Sequence, residues 1–498
     1  MSAYVMQDDL VHPDLTVQET LEFTANLRLP SSFDAQARKQ RIDEVLELVG
    51  ITHVRNVIVG DTRRKGISGG ERKRLCIAME LLNNPALMFL DEPTSGLDSS
   101  TAFSVCKVLQ DLAERGICTV VCTIHQPAQK IFELFDNLIL MKKGQIVYQG
   151  SAQKSLLLLQ ALGLPCPDGI NPADYLLDFV TSKSNSASTD SLQGLIGVAP
   201  IDLKIGESKP HFQAREVKNW FTQCGILIVR NIKQQLRRYD IMLINIVVTV
   251  VLSIFVSCGV WKDIGTDQLS IAKRAPSLFF ACVTQGIIAS LQATHSFPLE
   301  RALSLRERAA GTYFVSAYFV AKSISDTMFQ LIPPVVFSCI VYPVIGYQRS
   351  ARKFFIYMMF MMLDTMAATS LATMLSCICV SIELTTVVMS VGFEISRLYG
   401  GFFISPTQLN DYPDWHFADA LSYIKYCFVG VALNELTDLD LTCTAKEISS
   451  NTCILTGEAI IKQKGYDNYS IGFNVGILIV YIFGCRLFAY LALRFLKK

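Results

Sequence analysis

The chain has 498 residues, 51% of them hydrophobic and only 18% charged, and its mean hydropathy is +0.34. A charged share below the ~25% usual for soluble domains excludes disorder, collagen and a coiled coil, and argues against a wholly soluble protein. The net charge of +1 gives no basic field to attract nucleic acid. Fifteen cysteines are spread without CxxC or Cys/His clusters, against a zinc scaffold or a small disulfide-rich domain. The opening MSAYVMQDDL carries acids and no apolar core, so no cleavable signal peptide is expected.

Up to about Val180 the chain reads as α/β. Short apolar runs (Ala86–Leu90, Cys118–Thr123, Asn137–Met141) alternate with helical patterns such as Asp43–Val49 and Ser100–Arg115. Buried parallel strands with crossover helices give that rhythm. Thr181–Glu216 is rich in Ser, Pro, Gly and charge, the composition of a linker or of a surface loop of the first domain. Val217–Arg238 follows, with Val217, Trp220, Phe221, Cys224 and Ile228 at helical spacing near Arg230, Lys233, Arg237 and Arg238. It reads as an interfacial amphipathic helix or as an early turn of the first span.

Six stretches near the ~20 residues that span a bilayer come next. They are Ile241–Trp261, Pro276–Phe297, Ser323–Ile345, Phe354–Cys377, Leu384–Ile404 and Ile471–Leu491. Arg237 and Arg238, then Arg301, Arg306 and Arg308, then Arg494, Lys497 and Lys498 fall on one side, which the positive-inside rule makes cytosolic. Arg349, Arg352 and Lys353 fall on the other side and break that rule.

The chemistry lies in the first part. Ile67-Ser68-Gly69-Gly70-Glu71 precedes the apolar run Leu87-Met88-Phe89-Leu90 and the acids Asp91-Glu92, with Asp98 and His125 beyond. Each piece alone is weak, since an acidic pair after a strand often only caps a helix. In this order and spacing they are specific. They resemble the second half of an ABC-transporter nucleotide-binding domain. Ser68–Glu71 resembles the signature motif, Leu87–Glu92 the Walker B strand, Ser95–Asp98 the D-loop, His125 the switch histidine and Gln7 the Q-loop glutamine. GISGGERKRLCIAMELLNNPALMFLDEPTSGLDSSTA, HQPAQKIFELFDNLILMKKGQIVYQG and NPADYLLD resemble the G subfamily, the White and multidrug half-transporters, as does the soluble-domain-first order.

The resemblance implies a partial nucleotide-binding α/β domain over residues 1–180, a linker over 181–216 and an all-α six-helix transmembrane domain over 217–498. It implies ATP and Mg²⁺ as cofactors. Glycines Gly69 and Gly70 let backbone N–H groups meet a phosphate at a helix N-terminus. Asp91, with Gln7, suits Mg²⁺. Glu92 is placed to orient or deprotonate water and His125 to contact the γ-phosphate, in chemistry that rests on positioning and charge. The phosphate cradle is not found: no G-x-x-x-x-G-K-[ST] occurs in the 498 residues, and Gly60–Gly66 lacks its spacing. The expectation is an N-terminally truncated domain that does not hydrolyse ATP alone. The alternative is a catalytically incomplete subunit lending its signature motif to a complete half-transporter.

In the membrane half, SLFFACVTQGIIASL, FPLERALSLRERAAGTYFVSAYFVAKSISD and GGFFISPTQL match the family, and Phe297–Ala317 resembles its charged coupling loop. The resemblance places a substrate slit on Phe280, Thr284 and Ile287 of span two and on Ser390, Glu394, Arg397, Leu398 and Phe402 of span five. Ser405–Ser470 reads as a long extracellular segment, in which the family's intrachain bridge implies Cys443–Cys453 pairing; free buried cysteines are the alternative. The sequon Asn468-Tyr469-Ser470 abuts span six, so an unmodified site is expected. The implied whole is a plasma-membrane dimer with cytosolic termini. It would be a homodimer or a heterodimer with another G-type half-transporter, moving lipophilic or amphipathic cargo.

Overall fold

Alternating buried and exposed residues build the first sheet. Strands β1 (Ser2–Val5), β2 (Leu87–Asp91) and β3 (Thr119–Thr123) lie parallel in the order β1-β2-β3, with Ser2 opposite Leu87 and Leu87 opposite Thr119. Ala3, Val5, Met88 and Leu90 point into the core, whereas Tyr4, Phe89 and Val121 are exposed on the other face. The chain is seen in a computed structural model describing residues 2–61, 64–161, 165–167, 169–181, 218–379, 381–409, 413–443 and 453–495. It packs as two units. One is Met1–Asn219 with Ala309–Thr312, the other Trp220–Arg308 with Tyr313–Lys498. The expected linker falls almost wholly outside the described residues.

In the first unit, helices α1 (Val17–Arg28), α2 (Ala35–Leu48), α3 (Gly69–Leu81) and α4 (Ser99–Glu114) surround the sheet's buried face. Leu21, Leu46, Leu75, Leu90 and Val105 share that core. A short helix, α5 (Gln129–Phe132), leads to an antiparallel hairpin, β4 (Asn137–Lys142) and β5 (Gln145–Ser151). Its two-residue turn is Lys143-Gly144, both at positive φ (48° and 81°), the geometry that matches the strands' twist. Helices α6 (Ala152–Ala161) and α7 (Pro172–Thr181) complete the unit.

The second unit is helical. α8 (Trp220–Arg237) forms where the amphipathic pattern predicts it. Gln223, Cys224, Leu227, Arg230, Asn231 and Gln234 are buried, while Phe221, Val229 and Leu236 are exposed. Its inner face is polar because it meets polar partners: Arg230 pairs with Glu307 at 2.7 Å, and Trp220 donates to the Ser316 hydroxyl at 3.0 Å. Next come α9 (Tyr239–Ile254), running on through a π-turn to Val260, and α10 (Gln268–Ala309). Then follow α11 (Val315–Gln330), α12 (Ile332–Ile345), α13 (Ala351–Ile378) and α14 (Ile382–Leu398). After the short α15 (Pro406–Leu409) and α16 (His416–Leu421), the chain continues through α17 (Tyr423–Leu436), α18 (Gly457–Lys464) and α19 (Ile471–Phe495).

Three expectations need correction. Among the described residues five helices, not six, are long and apolar enough to cross a membrane: Tyr239–Val260, Gln268–Leu291, Val315–Ile345, Ala351–Ile378 and Ile471–Phe495. The stretch read as Leu384–Ile404 gives a helix of 17 residues that stops at Leu398. The chain turns there because Gly401 is left-handed (φ 79°), and a Cβ on Gly400 would come within 2.8 Å of Phe279. Second, the charged segment read as a loop from Phe297 is helical to Ala309, since α10 runs unbroken for 42 residues. Third, the segment read as one long extracellular stretch contains α17, whose 14 residues are all buried against α13 and α19. A short apolar run of that length is a core helix rather than a span.

Candidate functional site

The C-terminal end of β2 gathers the acids. Asp91 is held from both sides: Tyr4 donates to Oδ2 at 3.1 Å and the Thr123 hydroxyl to Oδ1 at 2.7 Å. Its hydrogen bond to that carboxylate pushes the Tyr4 phenol above its ordinary pKa. Glu92 leaves the strand in a left-handed conformation (φ 43°), an uncommon backbone for a residue with a side chain. Its N–H donates to the Thr123 carbonyl at 3.1 Å and hydroxyl at 3.0 Å. Gln7, from the turn after β1, donates through Nε2 to Glu92 Oε2 at 2.8 Å. Three segments far apart in sequence thus meet at one strand end.

Ser68 starts α3 as a reciprocal cap. The Glu71 N–H donates to Ser68 Oγ at 3.3 Å, while the Ser68 N–H and hydroxyl each donate to Glu71 Oε2 at 2.8 Å. His53 Nε2 lies 2.9 Å from Glu71 Oε1. Burial works against ionisation of Glu71, yet these bonds hold its carboxyl below the ordinary range. A Cβ on Gly70 would lie 2.1 Å from Thr101 Cγ2, and one on Gly69 3.2 Å from Leu97 Cδ2. Glycine at 70 is therefore required by the close approach of α3 to α4, besides any ligand. Asp98 caps α4, accepting from the Ser100 and Thr101 N–H groups at 3.1 and 3.0 Å and from the Thr101 hydroxyl at 2.7 Å. That hydroxyl bond foremost lowers its pKa. His125 is exposed in the turn after β3, and no hydrogen bond joins it to Gln7, Asp91 or Glu92 among the described residues.

Lys73 escaped the sequence reading. Its side chain is sealed inside the unit, and Nζ lies 2.8 Å from both the Gln7 carbonyl oxygen and Asp9 Oδ1. It ties the Ser68–Glu71 helix to the Gln7 turn. Lys73 lies four residues before Ile77, on the buried side of α3, and that spacing was the available signal, since an unpaired charge is not left inside a core.

A sequence model of the family described as "ABC transporter" matches residues 1–95, and models described as "ABC-2 type transporter" match 222–436 and 125–195. The chain is 30% identical to the "Broad substrate specificity ATP-binding cassette transporter ABCG2" of Bos taurus, over 100% of this chain and 82% of that protein. It is 31% identical to "ABC transporter G family member 22" of Arabidopsis thaliana, over 99% of this chain and 68% of that protein. The chain belongs to the ABC transporter G family. A third G-family relative, "ABC transporter G family member 1" of Dictyostelium discoideum, is 28% identical over 99% of this chain and 74% of its own length.

Of this G-family chain's donor groups, the Asp91 carboxylate and the Gln7 amide fit Mg²⁺, and the α3 N-terminus fits a phosphate. They suit part of a Mg²⁺–ATP site. The glycine-rich loop that would cradle the phosphates is not among the 498 residues.

In the second unit, a cavity of about 140 Å³ lies between α10 and α14, lined by Ile287, Leu291, Thr386, Ser390, Phe393 and Glu394 among others. Ile287, Ser390 and Glu394 of the expected slit meet there; Phe280, Thr284, Arg397, Leu398 and Phe402 do not line it. Phe280 packs on Trp261 at 5.5 Å, and Phe402 stacks on Phe279 at 4.8 Å. Arg397 donates to Glu394 at 2.5 Å along one face of α14. Cys443 and Cys453 form a disulfide with Cα atoms 5.9 Å apart, a normal separation.

Proposed function

We propose that this G-family protein, an ATP-driven multi-pass membrane transporter, exports or flips lipophilic or amphipathic molecules as a dimer. The observation that carries the reading is the Gln7–Glu92–Asp91 group at the end of β2, in one chain with five span-length helices. The cavity between α10 and α14 supports an apolar cargo with a polar end, since Ile287, Leu291 and Phe393 share its wall with Ser390 and Glu394. The bovine relative's name, "broad substrate specificity", is compatible with such a wall. The dimer is a homodimer or pairs with another G-type chain, in the plasma membrane with cytosolic termini.

Glu92 is the general base and Gln7 fixes its carboxylate; His125 and the Ser68–Glu71 helix start serve the phosphates. Bound Mg²⁺–ATP supplies the phosphoryl group whose transfer to water drives the cycle. These 498 residues alone do not turn over ATP, because the G-x-x-x-x-G-K-[ST] run whose N–H groups ring the phosphates does not occur in them. A second reading shares that premise: the chain lends its well-formed Ser68–Glu71 cap to a complete half-transporter.

The test extends the chain with a P-loop-bearing segment and compares it with its Glu92→Gln form. Binding of ATP should survive and turnover should fall by about 10²-fold or more, the scale of a lost general base. Unchanged turnover removes Glu92 from this role. Acceleration of a complete half-transporter by the unextended chain, lost in Ser68→Ala, supports the second reading instead.

A further inference from the structure

Asp364 stands at the middle of the 28-residue helix α13, fully buried; no N–H or O–H donor reaches either carboxylate oxygen, and among the described residues only the weak Cys427 thiol bonds to it. No ion pair joins it to a basic side chain among the described residues. The Tyr423 hydroxyl on α17 is likewise buried and without a partner. Both oxygens face the same small space beside α10: a Cβ on Gly286 would lie 3.0 Å from Tyr423 Oη and 3.3 Å from Asp364 Oδ2. Glycine keeps that space open.

The titratable groups around the carboxyl are few. α10 brings Cys282, α17 brings Tyr423 and Cys427, and α19 brings Tyr481 behind the Tyr423 ring at 5.8 Å. From α14 the nearest aromatic is Phe393, 6.4 Å from that ring, which carries no charge. The Cys427 thiol, a weak donor, is divided among the Asp364 carboxyl, the Cys282 sulfur at 3.3 Å and the Phe360 carbonyl oxygen at 3.6 Å. A carboxylate ion in this setting would be an isolated buried charge at membrane depth, which is expensive and is normally avoided by pairing or by neutralisation. Pairing is not available here. The two groups are not hydrogen-bonded to each other as they stand; a carboxylic acid offers one O–H donor and one acceptor and the Tyr423 phenol offers the same, so a small turn of either side chain into the gap at Gly286 would let each satisfy the other.

We propose that Asp364, Tyr423 and the gap at Gly286 form a proton-binding site inside the membrane unit. Its ligand is a single proton carried on the Asp364 carboxyl and shared with the Tyr423 hydroxyl. Nothing in the nucleotide chemistry uses this group. The proton leaves only when α10 and α17 part, because they close the site on two sides.

The measurement is infrared spectroscopy of the whole chain in lipid at neutral pH, with its aspartates ¹³C-labelled at the side-chain carboxyl. A C=O stretch of a protonated aspartic acid should appear, vanish in Asp364→Asn, and shift to higher frequency in Tyr423→Phe as its hydrogen bond is lost. Should Asp364→Asn fail to reach the membrane, the Tyr423→Phe shift in the labelled chain decides alone. An aspartate spectrum showing only carboxylate bands overturns the site, whether or not those bands respond to sodium. A protonated band that Tyr423→Phe leaves in place overturns the sharing.

Discussion

The two units of this chain place polar groups in opposite ways. In the first, the sealed side chains are mostly apolar, such as Leu21, Leu46, Leu75 and Ile77, and the acids Asp91, Glu92 and Asp98 sit at accessible edges. Among its described residues the buried charges are Lys73 and the Arg28–Glu80 pair at 2.8 Å, each answered by a partner. In the second, Arg274, Glu435, Asp364, Lys425 and Asn474 are buried, while Phe221, Val480, Phe483 and Phe488 are exposed. Water rewards charge at the surface; hydrocarbon rewards its removal to the interior. A charge inside the membrane unit therefore holds helices together, whereas a charge on the nucleotide unit is free to do chemistry.

The largest effect expected from breaking this contrast is at Arg274 and Glu435, 3% and 1% exposed, which pair directly. Arg274 also donates to the Gly265 carbonyl at 3.0 Å, and the Gln348 N–H donates to both Glu435 oxygens at 3.2 Å. Arg274→Ala should destabilise the detergent-solubilised protein by about 3–5 kcal/mol, because an uncompensated carboxylate stays behind. Replacing both by apolar residues of similar volume should cost far less. Equal losses in the single and double variants, read by thermal unfolding, would mean the pair is not the organising contact.

Next in size is Val480→Arg on the exposed face of α19. It should impair membrane insertion by about 2.5–3.5 kcal/mol on insertion scales. A charge added to an exposed position of the first unit, Gln36→Arg on α2 for instance, should stay within about 0.5 kcal/mol. Insertion efficiency in microsomes and unfolding of the purified chain read the two arms. Similar outcomes for both would erase the contrast.

The smallest effect concerns pH. Asp98 is ionised and bonded to Thr101 in the folded state, so its pKa lies below the unfolded value. Its stabilisation is present above the ordinary aspartate range and is lost as pH falls through the folded pKa. Asp98→Asn should therefore lower stability by the same small amount at neutral and alkaline pH and by less in acid, narrowing the difference between neutral and acidic solution. The unfolding midpoint as a function of pH shows whether it does.

Much of the first unit was legible because its signals are local. Ala86–Leu90 and Cys118–Thr123 read as strands within a residue of their bounds, and Ser68-Gly69-Gly70-Glu71 announces its own helix cap. What composition could not show was tertiary: the Lys73 clamp on Gln7, or Gly70 pressed against Thr101. In the second unit hydropathy located the helices but not their faces. The apolar stripe of α8 splits, with Cys224 buried and Phe221 exposed, because such a stripe marks the buried side only in water. Span five was overextended because its run of apolar residues outweighed Gly400-Gly401, and α17 was passed over because it is too short to register as a span.

The central claim is that this chain holds the base and signature parts of a nucleotide site without the phosphate cradle. ATP hydrolysis by the purified 498-residue protein in lipid, beside its Glu92→Gln variant, tests it most directly. The predicted result is the same background rate for both. Turnover in the unaltered chain that Glu92→Gln abolishes would contradict the account.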